Sequence, residues 1–315
     1  MVINMKKNFL LILLFIVVTS LFACSDTNNS NNNFEEEENA CNVIILCGQS
    51  NAEGHTKSAM LLNTNPALYA KYNVTSNFDT KVKIKYDTNV LQAHYKSEGF
   101  VDIRLGMGRD LASYGPEIGM NEIFEDAELE RDLFIIKYTH GGTCLYTQWH
   151  STSSPKGQGV LYEGLLSTVS EAMYELEEMG YSPYLKGVCW MQGESDATSD
   201  HLSYASNYRE YEDYFIEDLN EDLSHYKEDE DEKLKFIDAG ISDCSAWYNY
   251  LLINASKKNN ALQDPENRYF IDTISLGLDY SKEPTGAVDY YHYDSLSMIE
   301  LGKEFAKALL SFGIL

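Results

Sequence analysis

Residues 42–54 read NVIILCGQSNAEG, and the fold is decided by how this stretch is parsed. Val43 to Cys47 is an unbroken apolar run of strand length, the pattern of a central strand covered on both faces. Ser50 comes straight after it, at the edge of the sheet, where the N-terminus of a following helix stabilises negative charge. Ala52 stands where a G-x-S-x-G elbow has its second glycine, so this is not the α/β-hydrolase turn. Taken alone, the segment serves equally well as a nucleophile and as a polar strand-to-helix cap.

Outward from this strand the same pattern returns. Leu133 to Tyr138, Leu185 to Trp190, Leu234 to Ile241 and Tyr269 to Ile274 are nearly continuous in apolar residues. Helical spacing separates or follows them over Met120 to Glu130, Leu161 to Met179, Tyr204 to Leu223 and Met298 to Leu310. Strand–helix alternation predicts a mainly parallel five-stranded sheet with right-handed crossovers, a three-layer α/β/α domain. Val82 to Tyr95, where lysines alternate with apolar residues, is expected to be an inserted hairpin. In open sheets of this kind, chemistry collects beyond the carboxyl ends of the strands.

Two further segments lie at such ends. Trp190-Met191-Gln192-Gly193-Glu194-Ser195-Asp196 brings an amide and a carboxylate together where a buried strand ends, and each needs a partner. Gln192 offers a donor of the kind that stabilises an oxyanion, and Glu194 an acceptor that ties loops. Asp289-Tyr290-Tyr291-His292 precedes the last helix, and a spacing of three lets carboxylate and imidazole share one side of a turn. Asp294 is a rival carboxylate two residues beyond His292. His55, His140 and His150 show no i,i+4 ligand spacing, so no metal is expected.

Together these segments resemble the SGNH hydrolase superfamily, in its sialate O-acetylesterase-like and acetylxylan esterase branch, carbohydrate esterase family six. The resemblance rests on GQSN at Gly48–Asn51, WMQGESDA at Trp190–Ala197 and DYYH at Asp289–His292. Softer matches at Gly115-Pro116-Glu117 and around Ile136–Gly142 and Trp149 lie between them in the same order. It implies a flavodoxin-like fold and a serine esterase acting on O-acetylated carbohydrate without a cofactor. Ser50 would be the nucleophile, His292 the base and Asp289 its orienter. The oxyanion would be received by Gln192 and the backbone amides of Ser50 and Gly115, with Gly108 as a substitute for the latter. Gln49, Asn51 and Glu194 would support these residues, and His140, Gly142, Thr143, Trp149, Tyr291 and Tyr293 are candidates for lining the substrate. A silent glycan-binding lipoprotein, or an esterase for other acyl or thioester substrates, are the rival readings. The intact Ser50, Gln192, Asp289 and His292 set argues against the first.

The totals agree with a neutral substrate more than with a polyanion. The chain has 315 residues, 44% of them hydrophobic, and a formal net charge of -25. That balance argues against nucleic acid, whose phosphates demand clustered Lys and Arg. At the N-terminus, Lys6 and Lys7 precede the apolar run Phe9–Val18, too short to span a bilayer, which ends in Leu21-Phe22-Ala23-Cys24. This resembles a lipoprotein signal, in which Cys24 becomes lipidated. Residues 1–23 are therefore expected to be the signal peptide, 24–40 a disordered Asn/Glu-rich tether, and 41–315 the esterase domain. The protein is expected to be exported and held to a bacterial cell envelope through the lipid on Cys24. Cys41, Cys47, Cys144, Cys189 and Cys244 remain, an odd number without CxxC spacing, and the sequence selects no disulfide among them.

Overall fold

The computed structural model describes residues 39–74 and 80–315. The signal segment, nearly all of the tether and Cys24 lie outside them. In chain order the elements are β1 (Ala40–Gly48), α1 (Ser50–Glu53), β2 (Thr56–Lys57), α2 (Ser58–Thr64), α3 (Pro66–Tyr72), β3 (Val82–Thr88), β4 (Tyr95–Lys96), β5 (Val101–Asp102) and β6 (Ser113–Tyr114). There follow α4 (Glu117–Asp126), β7 (Leu133–Thr139), α5 (Val160–Glu178), β8 (Ser182–Met191), α6 (Leu202–Asp222), β9 (Lys235–Ala239), α7 (Tyr250–Gln263), β10 (Arg268–Ile271) and α8 (Ser295–Ser311).

The main sheet runs in the order β10-β9-β8-β1-β7-β3-β4, with β5 on the outer side of β3. Its first six members in that order are parallel to their neighbours. All five expected parallel strands are present, and β3 adds a sixth. The expected hairpin at Val82–Tyr95 is thus corrected: β3 does turn back into β4, but it is also a full parallel partner of β7. Along β3, Val82, Ile84, Tyr86 and Thr88 are buried while Lys83, Lys85 and Asp87 are half-covered. Lys85 reaches Glu175 of α5 and Lys83 reaches Asp102 of β5, so the lysines bridge to neighbouring elements. An outer strand of a parallel sheet shows the same period of two as a hairpin strand, which is why the pattern misled.

Helices cover both faces. Gly187 of β8 faces Leu309 of α8, whereas Trp190, three residues on and therefore on the other face, packs on Phe215 of α6. Phe215 in turn meets Tyr162 of α5, and Lys257 of α7 lies over the ring of Tyr208 in α6. On the opposite face α4 packs along α8. The helix α7 was not anticipated. Its buried residues are Ile253, Lys257, Asn260 and Ala261, so its inner stripe is half polar and carries little hydrophobic period.

The chain moves from β1 to β3 and β7 on one side, then crosses to β8, β9 and β10 on the other. The reversal opens a crevice at the carboxyl end of β1, between β7 and β8, the position where such sheets hold their ligands.

Candidate active site

At the end of β1 the backbone turns sharply, and two glycines make the turn possible. Gly48 has φ +136, and a Cβ there would run into the Met191 carbonyl of β8. Gly54 has φ +91, and a Cβ would crowd the backbone of Tyr114 and Gly115. Between them Ser50 begins α1 and is 7% exposed, with its hydroxyl on the wall of a cavity of about 410 Å³.

His292 lines the same cavity. Its Nδ1 lies 2.7 Å from Asp289 Oδ2, and the Tyr291 N–H donates to Asp289 Oδ1. Burial pushes the Asp289 carboxyl up, but the hydrogen bond and charge of His292 outweigh it and hold the group below its ordinary range. Asp294 instead accepts the Lys282 and Glu283 N–H groups and stands at the start of α8, away from the imidazole. Asn51 ties the two segments together. Its carbonyl accepts from the Tyr293 N–H, and its amide donates to Glu194 Oε1 (2.7 Å) and to the Tyr291 carbonyl. Glu194 is fully buried, and burial pushes its carboxyl up. Among the described residues no hydrogen bond joins Ser50 Oγ to His292; such bonds commonly tighten only with substrate in place.

The expected oxyanion donors need correction. Gln192 is 0% exposed and does not line the cavity. Its amide nitrogen faces Asp196 Oδ2 (2.6 Å), the Thr143 carbonyl (2.9 Å) and Gln49 Oε1 (3.2 Å), and its carbonyl accepts from Tyr208 Oη. An amide has two N–H bonds, so nothing is left for an oxyanion. The Gly115 N–H donates to the buried Glu117 carboxylate, which also pairs with Lys137, and the Gly108 N–H donates to the Ser113 carbonyl. Neither glycine amide is free. Gln49, expected only as support, is the amide that reaches the cavity wall. Three donors (Gln192 Nε2, Gly193 N and Ser195 N) fix its carbonyl oxygen, and its own Nε2 has no hydrogen-bond partner among the described residues.

Of the expected substrate-lining residues, Gly142 and the 51% exposed Tyr291 line the cavity. Trp149 is core, 0% exposed and edge-on to Tyr138 and Trp190. Thr143 is buried beneath it, accepting from Trp149 Nε1. His140 is buried with Nδ1 accepting the Leu91 N–H, and Tyr293 is buried beside a second cavity. Trp149, Thr143 and His140 fall outside the cavity linings because a polar or aromatic residue after a strand end points as readily inward as outward, and the sequence period is lost in a loop.

The cavity wall also holds residues that were not expected to line it, among them Glu53, His55, Asn89, Arg109, Ser195 and Trp247. Trp247 packs against Tyr291 with ring centroids 5.5 Å apart. Arg109 is exposed and has no ion-pair partner among the described residues, although the chain carries a net charge of -25. The one carboxylate on the wall, Glu53, is enclosed: it accepts from the Asn89 N–H, the Gly141 N–H and His55. An arginine among 49 acidic residues was the available signal for Arg109; nothing in the sequence pointed to Trp247. Among the described residues no group of three or more His, Cys, Asp or Glu is placed to hold a metal ion, and all five cysteines are free.

Comparison with known proteins completes the description. A family model described as carbohydrate esterase, sialic acid-specific acetylesterase, matches residues 40–311. Among curated proteins none matches the chain in sequence. Solved structures with the same fold include a protein from Arabidopsis thaliana (19% identity, TM-score 0.55, covering 86% of this chain and 98% of that one). NanS is similar too, at 16% identity and TM-score 0.57 over 87% of this chain and 98% of its own. A carbohydrate acetylesterase from Xanthomonas citri aligns at 18% identity and TM-score 0.52, covering 84% of this chain and 55% of that protein.

Proposed function

The chain belongs to the sialic acid-specific acetylesterase family of carbohydrate esterases, and from that premise we propose that it removes O-acetyl groups from sialic acid by a Ser50–His292–Asp289 mechanism. The observation that carries the mechanism is the Asp289–His292 contact of 2.7 Å on a cavity wall shared with Ser50. Asp289 accepting from Nδ1 leaves Nε2 as the base. His292 takes the Ser50 hydroxyl proton as the oxygen attacks the acetyl carbonyl. The tetrahedral oxyanion is met by the Ser50 N–H at the start of α1 and by the Gln49 amide. The imidazolium then protonates the departing sugar oxygen, and water admitted by the same base releases acetate from Ser50.

Arg109 favours the acidic sugar over neutral xylan. An exposed guanidinium on a wall whose single carboxylate is enclosed suits a substrate that brings its own carboxylate. Trp247 and Tyr291 add aromatic faces for the ring. The enzyme is exported and attached through a lipid on Cys24, a reading supported by the Lys6–Cys24 segment.

The test is acetate release from O-acetylated sialic acid, acetylated xylan and p-nitrophenyl acetate. Ser50→Ala should lose at least ~10⁴-fold in turnover on all three while staying folded. Arg109→Ala should lower kcat/KM on the sialic acid ester by ~10- to 100-fold relative to its effect on p-nitrophenyl acetate, the size of a charged hydrogen bond. A folded Ser50→Ala that still turns over ends the triad reading. Wild-type preference for acetylated xylan ends the sialate reading alone.

A further inference from the structure

Beside the catalytic pair stands a second carboxylate–imidazole pair that the mechanism above does not use. From its geometry we infer that His55, held by Glu53, is a positioning residue for the base His292. The inference rests on His292 being that base.

The pair is built into the nucleophile turn. Glu53 closes α1 and is 1% exposed; Gly54 reverses the chain, and His55 returns beside it. His55 Nε2 lies 2.7 Å from Glu53 Oε2. The Glu53 carboxylate is itself immobilised by the Asn89 N–H (2.5 Å) and the Gly141 N–H (3.0 Å). Just beyond, Thr56 and Lys57 pair with Ser113 and Tyr114, so the backbone carrying His55 is clamped on both sides. The approach to the nucleophile is equally close. A Cβ on Gly141 would lie 2.8 Å from Glu53 Oε2, 3.1 Å from His55 Nε2 and 3.3 Å from Ser50 Cβ.

From this anchored position the His55 ring packs in a tilted contact on His292, with centroids 4.3 Å apart and planes inclined by 31°. Asp289 holds His292 at one edge only. On its flank lies His55, and both rings line the catalytic cavity and a second cavity of about 210 Å³. With open space on either side of the pair, removing His55 would leave the His292 ring without a neighbour on that flank to hold its orientation.

The chemistry fits a neutral platform. Donation from Nε2–H to a carboxylate sets the tautomer of the neutral ring, leaving the lone pair on Nδ1. Its aromatic face then lies against the imidazolium that forms on His292 during the reaction, a favourable arrangement for a cation. A protonated His55 at the same distance would oppose that charge. Burial, with His292 and Arg109 nearby, lowers the affinity of His55 for a second proton against the pull of Glu53.

The experiment compares His55→Ala with His55→Phe, which keeps a flat ring but has no proton to give. Two readouts are needed. The first is the downfield proton resonance of His292 Nδ1–H bonded to Asp289, which does not depend on turnover. The second is kcat and KM on p-nitrophenyl acetate. In His55→Ala the resonance should broaden or vanish, and kcat should fall about tenfold or more with KM little changed, a loss of the size expected of a cation–π contact and its packing. His55→Phe should recover both. The inference is overturned by a wild-type resonance and kcat in His55→Ala. It is equally overturned if His55→Phe keeps the resonance but is as inactive as His55→Ala, since the ring would then be carrying a proton. A wild-type protein that hydrolyses no acetyl ester would instead sink the esterase mechanism itself, and with it the base on which the inference rests, whatever the two variants show.

Discussion

A side-chain amide has a donor end and an acceptor end, and Gln49 and Gln192 use them in opposite senses. Gln192 has both ends occupied in the interior, by Asp196, Thr143 and Tyr208, while Gln49 has only its oxygen tied down. Gln49→Ala is therefore expected to lower kcat by ~100- to 1,000-fold with KM near wild type. Gln192→Ala, by stranding the Thr143 carbonyl and taking a donor from the buried Asp196 carboxylate, should cost ~1–3 kcal/mol of stability and move kcat and KM together. Steady-state kinetics alongside melting curves separate them, and the reverse pattern would return the oxyanion to Gln192. Asp289 makes a second residue-level case. Its carboxyl is held below the ordinary range, so its contribution to stability is present above the unfolded value of about 3.9 and is lost as pH falls through the lower folded value. The stability gap between wild type and Asp289→Asn should accordingly hold above about pH 4 and narrow on acidification below it, measured by denaturant unfolding. A gap that ignores pH would mean that His292 does not hold the carboxylate. The acid–base pair was suggested by spacing and by the family resemblance together, because three residues of separation let a carboxylate and an imidazole share one side of a turn, as a surface ion pair also does. The division of labour between the glutamines was not, because it depends on which partners the folded interior supplies.

At the scale of elements, α4 and α8 meet backbone to backbone. A Cβ on Gly119 would collide with the Ile299 carbonyl, and one on Gly302 with the Pro116 carbonyl and Gly119. Alanine gains ~1 kcal/mol of helix propensity over glycine, but overpacking costs ~1–3 kcal/mol, and here the obstacle is main chain, which has no rotamer to yield. Gly302→Ala should thus lower the melting temperature by several degrees. Because α8 follows directly on the loop bearing Asp289 and His292, turnover should suffer with it. A variant that melts higher than wild type would show that the helices can part without penalty. Elements that bury a continuous apolar face, such as β1, β7 and α5, were readable in the sequence. Those whose buried face is polar were not. Lys257 of α7 is buried against Asp238 of β9; there a tertiary partner makes a charged residue acceptable where the hydrophobic period expects none.

Across the whole molecule, no helix among the described residues is long and apolar enough to cross a membrane; the attachment proposed runs through a lipid on Cys24. The native protein should partition into detergent, and Cys24→Ser should move it to the aqueous phase with its catalysis intact; mass spectrometry that finds an unmodified terminus beyond Cys24 would make it a secreted enzyme instead. The linear order of residues was enough to specify the parallel α/β sheet, the serine after β1 and the acid–histidine pair before α8. Each of these is written in local periods and short spacings, which hydrophobic burial and turn geometry enforce wherever they occur. What lines the cavity was settled by folding alone. Arg109, Trp247 and the turn that carries Gln49 and His55 come from separate segments, and their meeting depends on how the loops after β1, before β6 and after β9 pack together. Side-chain direction in such loops follows from tertiary hydrogen bonds, as when Asp196 and Tyr208 draw Gln192 inward, and no period in the chain encodes it.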